Sequence, residues 1–281
     1  MLAAILRQAM PLIPDLPRPA FRQRAVHRRR TVVDFTVRNY QVKTVDSAQE
    51  LRQVLALRRT VFHHEFAGRW LSLKSDKDAF DDEADHLAIF DRRAGKIAGV
   101  YRLITSQAGR PFYSATEFDI AGLLALPGRK VELSRACIAR PYRNGIVIAL
   151  LWRGLAEYAK AAGADYLFGL SSINTVDPFA IAKVHTHFLS AGLVDFSFGT
   201  APTRKFRIQG FQETLAAVAH DAMAEEDGEA LVPSLLKTYI KAGAKICSQP
   251  VIDRDFNCAD WLTVLDMRQL REAYGRKFMR V

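Results

Sequence analysis

Cysteine is scarce in this chain. There are three in 281 residues, Cys137, Cys247 and Cys258, odd in number and far apart. No CxxC pair and no zinc-ligand spacing occurs, which excludes a disulfide framework and a structural zinc site and points to a reducing interior. No apolar run reaches the roughly 18–20 residues that a bilayer span needs. The opening stretch MLAAILRQAMPLIPDLP is interrupted by prolines and lacks a basic leading region and a small-residue cleavage site, so it does not read as a secretory signal. Internal repeats, low-complexity tracts, a GxSxG elbow and a Walker A loop are all absent, which excludes a solenoid, an α/β-hydrolase nucleophile and a P-loop NTPase.

What is present is an ordinary globular balance, 49% hydrophobic and 25% charged, on a chain long enough to bury a core without staples. The net charge is +10, and residues 1–30 carry seven arginines against Asp15 alone, so most of the excess is local. Such an arm suits an anionic membrane surface, an acidic protein or nucleic acid, with a solvated tail as the plain alternative. The expected organisation is a basic arm at 1–30 and one domain over 31–281.

Periodicity supplies the elements. The stretch TVVDFTVRNYQVKTV is rich in β-branched residues and predicts one or two strands. SAQE at 47–50 has capping-box spacing, and apolar residues from Leu51 to Phe66 recur at helical intervals, so a helix is predicted over 48–66. HLAIFD and KIAGVYRLI flank RRAG as a hairpin. A strand over 130–139, a helix over 144–163 and an apolar strand over 165–173 follow. Asp177, Pro178 and Gly192 bracket a further helix. LVDFSFG reads as a strand, AKICSQPVIDRDFNCADWLTVLDM as an irregular strand pair and RQLREAYGRKF as a closing helix. The order predicts an α/β layer arrangement, a largely antiparallel sheet with helices on both faces.

One strand is unusual. VELSRACIA carries Glu132 and Arg135 and runs into a basic turn with Arg140, Arg143, Asn144 and Gly145. A charge inside a central strand is costly unless paired or facing a cleft. Strict alternation puts Glu132 and Ser134 on one face and Arg135 on the other. Glu132 then either forms an ion pair, with Arg102 of GVYRLI as partner, or faces a polar cleft where it binds or deprotonates an amine. The turn precedes a helix N-terminus, whose free N–H groups attract anions, and Gly145 would let a ligand approach the backbone. The acids of KSDKDAFDDEAD could gather a cationic substrate or form a solvated loop. Other patterns carry less. His86 and Asp91 have the spacing of a glycerolipid acyltransferase motif but fall on an alternating strand. His185 and His187 are two apart on a helix and share no metal-binding face.

The segments LRRTVFHHEF, DAFDDEADHLAIFD, GVYRLI, EFDI, VELSRACIARPYRNGIVIALLWRGLAEYA and the distal VPSLLKTYIKAGAKICSQPVIDRDFNCADWLTVLD resemble the ornithine N-acyltransferases. These belong to the GCN5-related N-acyltransferase (GNAT) superfamily and are similar to acyl-homoserine-lactone synthases. The resemblance implies transfer of a 3-hydroxylated fatty acyl group from acyl carrier protein to the α-amine of ornithine, with no cofactor and no metal. It also implies that Phe62, Trp70, Asp82, Asp85, Arg102, Glu132, Ser134 and Arg135 line or brace the site. Arg140, Arg143, Asn144 and Gly145 would meet the phosphopantetheine arm. The superfamily's second loop glycine is replaced by Val147, which favours a carrier-bound arm over free coenzyme A. Glu132 is the expected base, Arg102 or Arg135 the carboxylate holder, and the acidic loop the holder of the side-chain ammonium. A cytoplasmic chain touching the inner membrane peripherally, and no nucleic acid, complete the expectation. The alternatives are an N-acyl amino acid or autoinducer synthase with another acceptor, or a non-catalytic protein that binds membrane or nucleic acid.

Overall fold

The computed structural model describes residues 29–65, 76–106, 111–221 and 223–270. Most of the basic arm, Trp70 and the expected closing helix beyond residue 270 lie outside the described residues. The N-terminal strands are β1 (Asp34–Val37) and β2 (Tyr40–Thr44), followed by α1 (Ala48–Glu65). Ser47 accepts from the Glu50 amide at 3.2 Å, as the SAQE spacing predicts. Glu50 reaches back one residue further than the capping box requires, to the Asp46 amide at 3.1 Å. The hairpin around RRAG is β3 (Asp85–Asp91) and β4 (Lys96–Thr105). The connecting region holds a 3-10 turn at Tyr113–Thr116, then β5 (Phe118–Asp119) and α2 (Ala121–Ala125).

The central unit is β6 (Lys130–Ile138), α3 (Ile146–Ala162) and β7 (Tyr166–Ile173), close to the predicted bounds. Next comes α4 (Pro178–Ser190), whose cap Asp177 accepts from the amides of Phe179 and Ala180. LVDFSFG is not the strand its composition predicts. Asp195 accepts from the Ser197 amide and Gly199 takes φ 61, and together they wind Phe196–Phe198 into a 3-10 turn. The distal region adds β8 (Ala201–Pro202), α5 (Phe211–Val218), α6 (Ala224–Leu231), α7 (Ser234–Ala242), β9 (Lys245–Ile246), β10 (Val251–Asp253) and β11 (Cys258–Asp266).

The main sheet runs β1-β2-β3-β4-β6-β7-β11-β10, with β9 alongside β11 and β5 paired to β8 separately. Every pairing between its strands is antiparallel except β6 with β7. Its faces are filled by different helices. Leu150, Leu151, Leu155 and Tyr158 of α3 pack with Leu87, Tyr101, Leu103 and Val131 on one side. Val54, Val61 and Phe62 of α1 pack with Ala88, Val100 and Cys137 on the other.

Two irregularities shape the site. The first is the short β6–β7 ladder, which joins only Lys130–Glu132 to Tyr166–Phe168. At its end Gly169 passes so close to Leu133 that a Cβ there would sit 2.2 Å from the Leu133 carbonyl oxygen, so only glycine allows the crossing. Beyond it the two strands part. The second irregularity is a bulge in β6. Arg102 pairs with Ser134 and Val100 with Cys137, so two residues on β6 face one on β4, and Arg135 adopts φ 51. The extra residue resets the alternation. Leu133, Ala136 and Ile138 point toward α3, whereas Arg135 joins Ser134 on the other face. The expected opposition of Ser134 and Arg135 is therefore corrected by the bulge.

Candidate active site

Where β6 and β7 part, a cavity of about 930 Å³ runs through the gap. Leu133–Ile138 form one wall and Leu167–Ser172 the other. The two ends differ in chemistry. Toward α3 and α7 the lining is apolar, with Leu151, Trp152, Leu236, Tyr239 and Leu265. Toward α1 it is polar, with Ser134, Arg135, Glu117, Asp253 and Asp260, closed by the rings of Phe62, Tyr113 and Phe256. Phe62 of α1 meets Phe256 edge-on at 6.4 Å, and Phe256 lies 5.1 Å from the Arg135 guanidinium. One end therefore accommodates a hydrocarbon chain and the other a charged small molecule.

Under the polar end lies a network of buried ions. Arg58 of α1 is fully buried between Asp76 and Asp81, donating to both carboxylates and to the Asp76 carbonyl. Arg102 donates to Ser134 Oγ at 2.9 Å and to Asp78 at 2.6 Å. Arg135 reaches Asp78 at 3.0 Å and lies over the Tyr113 ring at 4.7 Å. Burial alone would raise the Asp81 carboxyl, but the charges of Arg58 and Arg102 and the Arg58 hydrogen bond bring it down to about 2. A depressed carboxylate stabilises the fold above its unfolded value of 3.8 and loses that contribution as pH falls toward 2. The urea midpoint should therefore fall steeply between about pH 4 and 2. Asp81→Asn, already weaker, should show a shallower fall. Parallel profiles for the two proteins would remove Asp81 as the cause.

Asp76, Asp78 and Asp81 are thus engaged with arginines and do not line the cavity as an ammonium site. Asp82 is exposed and pairs with Lys77 at 2.6 Å. Asp85 is buried away from the cavity and accepts from the amides of Arg30 and Thr31 and from the Tyr158 hydroxyl. Nor does Glu132 face the cleft. It is fully buried, and its oxygens accept from the amides of Tyr113 at 2.7 Å and Ser114 at 2.6 Å and from the Ser114 hydroxyl. It fixes the 3-10 turn that presents the Tyr113 ring to Arg102 and Arg135. Arg102 likewise lies behind the lining, bracing Ser134.

At the N-terminus of α3, Arg143 and Gly145 line the cavity, and Arg140 and Asn144 are exposed beside it. Asn144 precedes the N-cap, Gly145, and accepts from the Ile146 amide at 3.2 Å in a local turn. Gly145 has φ 84, while a Cβ built there meets nothing within 4 Å. Its backbone conformation, rather than crowding, calls for glycine. Val147 is buried beneath the turn, 3.1 Å from the Cβ position of Gly99.

Sequence patterns missed the carboxylates that do line the cavity. Glu117 follows the 3-10 turn, Asp253 ends β10 and Asp260 lies in β11. One oxygen of each falls within 4.8 Å of the others, and all three residues are buried. Burial raises all three, and mutual repulsion adds to the rise in Glu117, which lies well above the usual carboxylate range. Asp260 also meets the Ser172 hydroxyl, and Asp253 accepts from the amides of Asp255 and Phe256. A signal existed for Asp260, an isolated acid in the apolar strand CADWLTVLD, the same signal that drew attention to Glu132.

Comparison with known proteins places these features. The acetyltransferase (GNAT) domain family matches residues 57–153. A protein named L-ornithine N(alpha)-acyltransferase from Rhodobacter capsulatus is 29% identical over 259 residues, covering 86% of this chain and 95% of its own. Its namesake from Agrobacterium fabrum is 31% identical over 250 residues, covering 83% and 80%. Among solved structures, FeeM, an N-acyl amino acid synthase from uncultured soil microbes, superposes with a TM-score of 0.51 at 10% identity, covering 83% of this chain and 94% of that one. At that identity the likeness concerns the fold alone.

Proposed function

Because the chain belongs to the L-ornithine N(alpha)-acyltransferase family, we propose that it transfers a fatty acyl group from an acyl carrier protein thioester to the α-amine of L-ornithine. The observation that carries this reading is a continuous cavity, apolar at one end and ionic at the other, whose ends meet at a broken strand pair. The acyl chain lies among Leu151, Trp152, Leu236 and Tyr239, and the thioester carbonyl sits at the parting of β6 and β7. There the backbone of β6 has lost its β7 partners, and its N–H groups are able to hold a tetrahedral oxyanion. The neutral α-amine attacks the carbonyl carbon, a C–N bond forms, the C–S bond breaks, and the nitrogen's proton leaves with the thiol. Arg135 holds the amino-acid carboxylate, because a guanidinium pairs with it in a fork. The Tyr113 ring lies against that guanidinium and against Arg102, which Ser134 also holds, and Glu132 acts as a positioning residue behind them. A 3-hydroxylated chain is the preferred donor group, and the basic arm at 1–30 touches anionic membrane. Among the described residues no helix is long and apolar enough to cross a membrane.

The donor is tested directly. Arg140, Arg143 and the α3 N-terminus face the solvent side of the cavity and suit the single phosphate of a phosphopantetheine arm on an acidic carrier. Acyl carrier protein thioester should be used at least about tenfold faster than acyl coenzyme A at low salt, with the advantage shrinking as salt screens the attraction. Arg143→Ala should raise KM for the carrier more than it lowers kcat. Equal use of both donors at every salt concentration would rule out the carrier protein, and a mass spectrum without Nα-acylornithine would rule out the acceptor.

A further inference from the structure

The mechanism above leaves three buried carboxylates unused. Glu117, Asp253 and Asp260 sit 1%, 5% and 3% exposed at the polar end of the cavity, beside the Arg135 assigned to the acceptor carboxylate. A carboxylate oxygen of Glu117 lies within 4.8 Å of one on Asp253 and one on Asp260, and Glu117 Oε2 is buried with no hydrogen-bond partner. Such an orphan costs free energy until a donor arrives. Three acids so close repel one another, and a cation among them would relieve the repulsion.

Resting on the acyl-transfer reading, we propose that Glu117, Asp253 and Asp260 hold the side-chain ammonium of the diamino acid acceptor and so determine both its identity and which of its amines is acylated. The choice between amines follows from acid–base chemistry. An amine surrounded by carboxylates is held in its charged form and cannot attack a carbonyl. The reacting α-amine must be neutral, so the acidic nest suits the amine that must not react. With the carboxylate on Arg135 and the distal ammonium in the nest, only the α-amine is free at the strand gap. A metal ion fits less well. Calcium and magnesium take six or more oxygen ligands, and Asp253 already accepts two amides of its own turn.

The test compares L-ornithine with L-norvaline, which has the same carbon skeleton and no distal amine. Wild-type enzyme should favour ornithine in kcat/KM by at least about 10²-fold, because a site built around a donor rejects the analogue that lacks it. Glu117→Gln and Asp253→Asn should lower kcat/KM for ornithine by a similar factor and leave norvaline within about threefold of wild type. Tandem mass spectrometry should find Nδ-acylornithine from the variants and none from wild type. An equal fall for both substrates, or an undiminished preference in both variants, would overturn the proposal while leaving ornithine acylation standing. Wild type that acylated norvaline but not ornithine would overturn the functional reading as well. Independently of any variant, L-ornithine should raise the melting temperature of the wild-type protein and equimolar L-norvaline should not. Stabilisation by Mg2+, Ca2+ or Mn2+ alone, lost in Glu117→Gln, would assign the cluster to a metal instead.

Discussion

Arg58→Ala should lower the stability of the fold by about 3–5 kcal/mol, seen as a lower urea midpoint with little change in slope. Arg58 has no exposed surface, nor do the side chains of the two aspartates that it bridges. Removing the guanidinium leaves Asp76 with Arg135 at 3.7 Å and Asp81 with Arg102 at 3.4 Å, both long contacts in a site closed to water. The loss comes from leaving buried charges under-compensated rather than from the net worth of the ion pairs, which would be far smaller. Arg58→Lys keeps the charge but not the fork, so one aspartate is served poorly, and an intermediate loss is expected. A loss below about 1 kcal/mol for Arg58→Ala would mean that water or protonation already neutralises Asp76 and Asp81. The damage should also reach the site, because Asp81 contacts Arg102 as well, at 3.4 Å.

Glu132→Gln should cost about 2–3 kcal/mol, although it changes only one atom's chemistry. The carboxylate accepts from two amides and a hydroxyl, whereas an amide group presents donors on one side. At least one buried N–H then loses its acceptor. The kinetic signature separates this role from that of a base. Removing a general base typically costs about 10²–10⁴-fold and abolishes the acidic limb of the pH–kcat/KM profile. Glu132→Gln should lower turnover by less than that and keep the limb. If the limb vanishes while the melting curve stays put, Glu132 is the base and not a support.

The sequence is most legible where one local rule acts alone. Asp177-Pro178 and Gly192 bracket a helix because caps are decided by a few adjacent residues, and β3 and β4 show their hairpin through two apolar runs on either side of RRAG. Glu132 and Arg102 stand out because isolated charges in strands are rare. Their environment was not legible, since it depends on the 3-10 turn at Tyr113–Thr116, which no periodicity announces. Arg135 was misassigned to a face because one extra residue in a strand leaves no trace in composition. Glu117, Asp253 and Asp260 come from three distant segments that only the folded sheet brings together. No spacing rule could join them.

The position of β11 bears on how the chain is made. Ile173 at the end of β7 pairs with Ala259, and Tyr166 at its start pairs with Asp266. During synthesis the first six strands of the main sheet, through β7, emerge long before this partner. They form a contiguous half in which each new strand finds a neighbour already present, the kind of local assembly that forms quickly. Until β11 arrives, β7 is an open, apolar edge, available to any passing strand. The nascent protein thus has half a cavity and an adhesive border from the completion of β7 at Ile173 until β11, Cys258–Asp266, has been added. The acidic end is completed only when β10 and β11 dock, so Asp253 and Asp260 report on whether this side of the sheet has been assembled.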